Sequence, residues 1–119
     1  MRDPLRGRMG EAITAEYLRR RGYRLLGTNY RSRFGEIDLI AARRGIVAFV
    51  EVKLRANAGF AAALEQVGSA KQERIRKTAL LWIAEHGEEL QPRFDVCEVY
   101  LPIGAQEKDA RLNYIENAF

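Results

Sequence analysis

At 119 residues, 47% of them hydrophobic and 30% charged, the chain can bury an ordinary core and is too apolar to remain disordered. Its apolar runs fall short of the roughly 18 residues of a membrane-crossing helix, no apolar segment follows the N-terminal arginines as a secretory leader would require, and a single cysteine, Cys97, excludes an internal disulfide. The net charge of +4 is unevenly spread: residues 1–33 carry nine arginines against three carboxylates, while the remainder is slightly acidic, so a polyanion is the expected partner, nucleic acid ahead of any membrane.

Taken in order, Arg6 to Arg21 reads as a first helix, with Met9, Ile13 and Tyr17 repeating every fourth residue and Ala12 and Ala15 widening the stripe. Arg19, Arg20 and Arg21 suit the negative end of its dipole, and Gly22 is a natural stop. Glu11 falls towards a flank of the stripe, where a solvated and a functional role are equally open. Tyr23 to Tyr30 reads as a strand, and the polar, basic stretch from Asn29 to Phe34 as a loop. Two apolar runs follow, Gly35 to Ile40 and Ile46 to Lys53, around a turn at Arg43-Arg44-Gly45: a β-hairpin. Residues 57–68, rich in Ala and Gly, predict a mobile loop with a short helical turn. Ser69 to Glu85 is a second helix. Ser69 and Gln72 have the spacing of a capping box, Ile75, Ala79, Trp82 and Ile83 form the buried stripe, and Lys71, Arg74 and Lys77 form a basic outer face. Gly87 ends this helix, and His86 fits a dipole partner or surface residue better than a ligand. Arg93 to Leu101 is a further strand, with Phe94 and Val96 inward and Cys97 an inert buried thiol, which suits a reducing cytoplasm. Arg111 to Ile115 offers an optional edge strand. One α/β domain over residues 1–119 is expected, an αβββαβ core whose mixed central sheet is flanked by helices.

The hairpin carries the unusual chemistry. Asp38 interrupts its first apolar run, and Glu51 and Lys53 interrupt the second. Unpaired ionisable groups are costly in such places. With the turn centred between Arg44 and Gly45, Asp38 faces Glu51 and Glu36 faces Lys53, so the four share one face while Val50, Val52 and Leu54 point into a core. Two opposed carboxylates repel. A shared proton, a salt bridge to Lys53 or a nearby arginine, or a divalent cation would relieve them. Oxygen donors on rigid strands match Mg²⁺ or Mn²⁺, and no Cys/His set has zinc spacing. Beside such a cation Lys53 could orient a water and stabilise charge on phosphoryl oxygens. Its use as a general base stays open, because neighbouring carboxylates push its pKa upward.

Asp38 with Glu51-Val52-Lys53 resembles the D…(D/E)xK signature of the restriction-endonuclease-like nucleases, with Ile37 where a proline often stands. Gly10-Glu11, Asn29-Tyr30-Arg31, Gly35 to Ile40, Phe49 to Arg55, Lys71-Gln72 and Arg93 to Val96 together resemble the YraN/UPF0102 family of small bacterial proteins over nearly the whole chain. That resemblance implies a nuclease-like site similar to that of Holliday-junction resolvases. It implies a third acidic member, Glu11, beside the metal residues Asp38 and Glu51, a polar position at Gln72, and a homodimer.

The leading expectation is a Mg²⁺-dependent endonuclease, acting on DNA ahead of RNA and on branched DNA by resemblance. Asp38, Glu51 and Glu11 would hold the metal, Lys53 would serve the attacking water, and Arg31, Arg33, Arg55 and Lys71 would meet phosphates. The alternatives are a non-catalytic nucleic-acid-binding or adaptor module that keeps the fold, and a structural protein whose carboxylates are paired with lysine or arginine.

Overall fold

Both expected helices and all five strands form, and the computed structural model describes residues 4–56, 67–87 and 89–119. Among the described residues the elements are α1 (Pro4–Arg20), β1 (Arg24–Arg31), β2 (Glu36–Arg43), β3 (Ile46–Arg55), α2 (Ser69–His86), β4 (Gln91–Tyr100) and β5 (Arg111–Ile115), with a 3-10 turn at Glu107–Asp109. The loop expected at residues 57–68 lies outside the described residues except for Val67 and Gly68. Among the described residues no helix is long and apolar enough to cross a membrane.

The strands lie in sequence order, β1-β2-β3-β4-β5. The β1–β2, β2–β3 and β4–β5 pairs are antiparallel and β3–β4 is parallel. A parallel pair cannot be joined by a tight turn, so the chain leaves β3 and returns to β4 by way of α2. The result is a mixed sheet with helices on both faces, consistent with a restriction-endonuclease-like core. The hairpin turn has two central residues, Arg44 and Gly45, at φ 50° and 80°. Two successive positive φ values mark the turn class whose twist matches paired strands, and glycine takes the second at no steric cost.

Each face of the sheet has its own core. On the α1 side Ala15, Leu18 and Tyr23 pack on Leu39, Ala41, Ala48, Val50, Val52, Cys97 and Val99. On the α2 side Ile75, Ala79 and Trp82 pack on Ile37, Ile40, Val47, Phe49 and Val96. Phe49 lies between the edge of Trp82, 5.7 Å away, and the face of Phe94, 5.6 Å away. Because both faces are covered, Asp95 through Val99 are all buried, where the expected strand pattern had placed Phe94, Val96 and the Cys97 thiol inward.

Two local expectations are corrected. The buried stripe of α1 is rotated from Met9-Ile13-Tyr17 onto Gly7, Gly10, Thr14, Ala15 and Leu18, with Ala12 exposed. Small residues carry this face because the helix lies close to β3: a Cβ on Gly10 would meet Val52 Cγ1 at 3.4 Å and Leu54 Cδ1 at 3.5 Å. Thr14 fits there because its hydroxyl is bonded to the Gly10 carbonyl at 2.9 Å and to Cys97 Sγ at 3.4 Å. Burial pushes the Cys97 thiol up to about 11, so it is inert as expected. The second correction concerns α2. Its N-cap is Gly68, with no side-chain cap, and Gln72 instead donates to the Val67 carbonyl at 2.8 Å, holding the approach to the helix.

One charged group is fully buried in the α1-side layer, and it is satisfied. Asp95 accepts from Arg93 Nε at 2.9 Å and Nη2 at 2.7 Å, from the Tyr114 hydroxyl at 2.6 Å and from the Asn117 N–H at 2.9 Å. Arg93 also donates to the Tyr23 hydroxyl at 2.6 Å. Breaking such a pair from one side leaves an uncompensated buried charge. Asp95→Ala is therefore expected to cost about 3–5 kcal/mol in urea unfolding; a loss below about 1 kcal/mol would refute this account of Asp95.

Candidate functional site at the β2–β3 fork

The hairpin register is the expected one, with Arg43 opposite Ile46 and Leu39 opposite Val50. One step further, where Asp38 would face Glu51, the backbone ladder stops. The Val52 N–H, left without a β2 carbonyl, donates to Asp38 Oδ2 at 2.8 Å. The two strands fork here, and the Asp38 carboxylate closes the fork.

Side-chain direction on β3 follows the expected alternation. Val50 and Val52 enter the α1-side core, and Val47 and Phe49 the α2-side core. Glu51 belongs with the second set and meets Lys71 of α2, whose Nζ lies 2.7 Å from Glu51 Oε1. On β2 the alternation breaks. Ile37 and Ile40, three residues apart, both enter the α2-side core, while Leu39 enters the other. Asp38 is thereby turned into the fork towards Val52. The single charged face expected for Glu36, Asp38, Glu51 and Lys53 therefore does not continue unbroken along β2, because the strand turns where it parts from β3.

Lys71 is exposed on α2 as expected, and its ammonium also reaches Glu51 at the site. Glu11 is half-buried on α1 and accepts from Asn29 Nδ2 at 3.1 Å. Glu36 is 3.7 Å from Arg31. Lys53 is half-buried and has no carboxylate partner among the described residues. Arg31 and Arg33 are exposed, the latter over the Phe34 ring at 4.9 Å. Arg55 is mostly covered and lies 3.9 Å from Glu98.

Glu98 did not stand out in the sequence. It is 4% exposed, beside Lys53 in the parallel register, and accepts from the Asn113 side chain at 2.9 Å and the Tyr100 hydroxyl at 3.2 Å. The available signal was a glutamate inside the apolar run from Phe94 to Leu101.

Asp38 is the electrostatic anomaly. Its carboxyl is pushed up to about 7, first by burial and next by the charge of Glu51. The Val52 N–H opposes the rise, while Glu11 and Glu36 add to it. Hard oxygen donors that repel one another are the donor set that suits a cation such as Mg²⁺. Asp38 and Glu51 fit that requirement, with Glu11 contributing to the same field. Among the described residues no three of His, Cys, Asp and Glu converge into a ready-made metal-binding group.

Residues 10–99 match the model of a family described as "Uncharacterised protein family UPF0102". The chain belongs to the UPF0102 family. A UPF0102 protein of Alkaliphilus metalliredigens is 43% identical over 95% of this chain and 96% of its own length. One of Caldanaerobacter subterraneus is 42% identical over 95% and 93%, and one of Nocardia farcinica 46% identical over 82% and 78%. The matched span of this UPF0102 chain begins at Gly10, beside Glu11, and runs past Glu98, so it contains the whole fork.

The raised Asp38 fixes a pH dependence. An ordinary aspartate titrates near 3.8, whereas folded Asp38 titrates at about 7. Between those values the folded state binds the extra proton, so stability falls as pH rises through the window. Above it, ionised Asp38 costs on the order of a few kcal/mol. Asp38→Asn keeps an acceptor for the Val52 N–H and removes the charge. It should raise the melting temperature by at least about 5 °C near pH 8 and hardly at all near pH 4; equal shifts at both pH values would contradict the assignment.

Proposed function

We propose that the β2–β3 fork is the site of a divalent-cation-dependent endonuclease, hydrolysing phosphodiester bonds of nucleic acid. The observation that carries this reading is the Asp38 carboxylate, fixed on the Val52 N–H at 2.8 Å with its pKa driven up to about 7 by burial and by Glu51, Glu11 and Glu36. Mg²⁺ or Mn²⁺ would be held by Asp38 and Glu51, with Glu11 as the third acidic group. The chemistry such a cation supplies is Lewis-acid polarisation of a phosphoryl oxygen and acidification of water.

The chain's own residues do the rest. The Val52 N–H sets the direction of the Asp38 carboxylate. Lys71 pairs with Glu51 at 2.7 Å and fixes the position of that carboxylate. Lys53, two residues beyond Glu51 on the same strand and without a carboxylate partner among the described residues, offers its ammonium to a phosphoryl oxygen and orients the water. Arg31 and Arg33 on the exposed side, with Arg55 and Lys71 nearer the sheet, meet flanking phosphates. DNA as the main substrate, its branched form and a second copy of the chain enter the proposal through the resemblance to resolvases. A cytoplasmic setting enters through the free Cys97.

A second reading rests on the Lys71–Glu51 pair, which neutralises one of the two carboxylates without a metal. On that reading the UPF0102 chain is a nucleic-acid-binding module that keeps the nuclease fold. One experiment separates the two. Purified protein is incubated with branched DNA, linear DNA and RNA in Mg²⁺ or Mn²⁺, beside Asp38→Asn and Lys53→Ala. The endonuclease reading expects cleavage that falls at least about 100-fold in both variants. Salt-dependent binding without cleavage, unchanged in Asp38→Asn, would establish the binding module instead.

A further inference from the structure

At the other end of β2 the hairpin turn forms one wall of an open cleft of about 410 Å³. Arg21, Arg24, Arg43 and Arg44 line it, together with Gly22, Gly45 and Leu90. None of the four arginines has a carboxylate partner among the described residues, whereas Arg19, Arg20, Arg31, Arg55 and Arg93 each have one. Four arginines around one concavity, with no carboxylate partner among the described residues, give it a positive potential suited to an anion.

The cleft is also built in advance. Arg43 donates to the Arg21 carbonyl at 2.7 Å and stacks over the Tyr23 ring at 4.4 Å. Arg21 lies over the Tyr17 ring at 3.7 Å. The turn itself is tied to β4, where the Gln91 N–H donates to the Gly45 carbonyl at 2.8 Å. The last carbonyls of α1, which would repel an anion, are occupied: the Leu18 carbonyl by the N–H groups of Arg21 and Tyr23, and the Arg19 carbonyl by that of Gly22. Arg24 and Arg44 are exposed, and the planar fork of arginine matches phosphate oxygens.

We propose that this cleft is a second phosphate-binding site, which holds the backbone of a nucleic acid at a distance from the β2–β3 fork. The choice of nucleic acid over a small phosphate rests on the function proposed for the fork. Arg43 is five residues from Asp38 along β2, a separation of about 17 Å. That is roughly half a turn of duplex DNA, the spacing at which one duplex could meet both ends of β2. The fork carries the chemistry, and the arginine cleft fixes where along the strand that chemistry falls.

The test uses the full chain with Arg24→Ala and Arg44→Asn combined; asparagine tolerates the positive φ of position 44. Both side chains are exposed, so an unchanged melting temperature confirms folding. Fluorescence anisotropy with a labelled duplex is read across a salt series, and Mn²⁺ binding is measured by calorimetry. The expected result is duplex binding weakened at least about tenfold, a salt slope reduced by roughly one to two, since each phosphate no longer neutralised lowers it by about 0.9, and unchanged Mn²⁺ binding. Wild-type affinity and slope in the double variant would overturn the proposal, even if Asp38→Asn abolished cleavage. Binding of pyrophosphate that the two substitutions remove, with duplex affinity untouched, would overturn it as well. Duplex binding that depends on Arg24 and Arg44 in a protein that neither binds Mn²⁺ nor cleaves would support the cleft and reject the endonuclease.

Discussion

The hydrogen bond from the Val52 N–H to the Asp38 carboxylate closes a ladder that stops one residue too early. A strand N–H at the edge of a buried sheet needs an acceptor, and no β2 carbonyl is in place to provide one. An aspartate side chain supplies it, but only by bringing a carboxylate into a poorly solvated fork beside Glu51. The backbone requirement and the electrostatic imbalance are therefore one feature. Val52 cannot be satisfied in this geometry without Asp38, and Asp38 cannot sit there without meeting the charges of Glu51, Glu11 and Glu36.

The two helices hold that fork from opposite faces. α1 delivers Glu11 next to Gly10, where the helix packs against Val52 and Leu54. α2 delivers Lys71 from its first turn, and its register is set by Ile75, Ala79 and Trp82 packing on Phe49 and its neighbours. Phe49 and Glu51 are two residues apart on one strand, so the aromatic packing that anchors α2 also fixes where Lys71 meets Glu51. Core packing thus sets the positions of the charged groups.

How far the sequence disclosed this can be followed residue by residue. The hairpin register was legible because the turn residues and two apolar runs leave little freedom, and Asp38, Glu51 and Lys53 stood out against an apolar background. The rotation of α1 was not legible, because Gly7, Gly10 and Thr14 carry no hydrophobic signal although they form the contact face. Lys71 read as part of a basic outer surface because helical spacing says nothing of what an N-terminal residue reaches across to touch. The break in alternation between Ile37 and Ile40 was invisible because it arises from the parting of two strands, a tertiary event. Arg21, Arg24, Arg43 and Arg44 come from a helix end, a strand start and a turn, and only the fold brings them to one cleft.

The contrast between Asp95 and Asp38 gives the fork its meaning. Both are carboxylates in the same sheet, and the fold surrounds Asp95 with a guanidinium, a hydroxyl and a backbone N–H. At Asp38 it provides one backbone N–H and three acidic neighbours. Arginine is not scarce in this chain: four stand together at the other end of β2 without carboxylate partners among the described residues. The acidic fork, only partly neutralised by the Lys71–Glu51 pair, and the arginine cleft therefore stand at opposite ends of β2, about 17 Å apart by strand geometry. On the function proposed for the fork, a divalent cation would relieve the acidic end, and a phosphate of the nucleic acid would relieve the basic one.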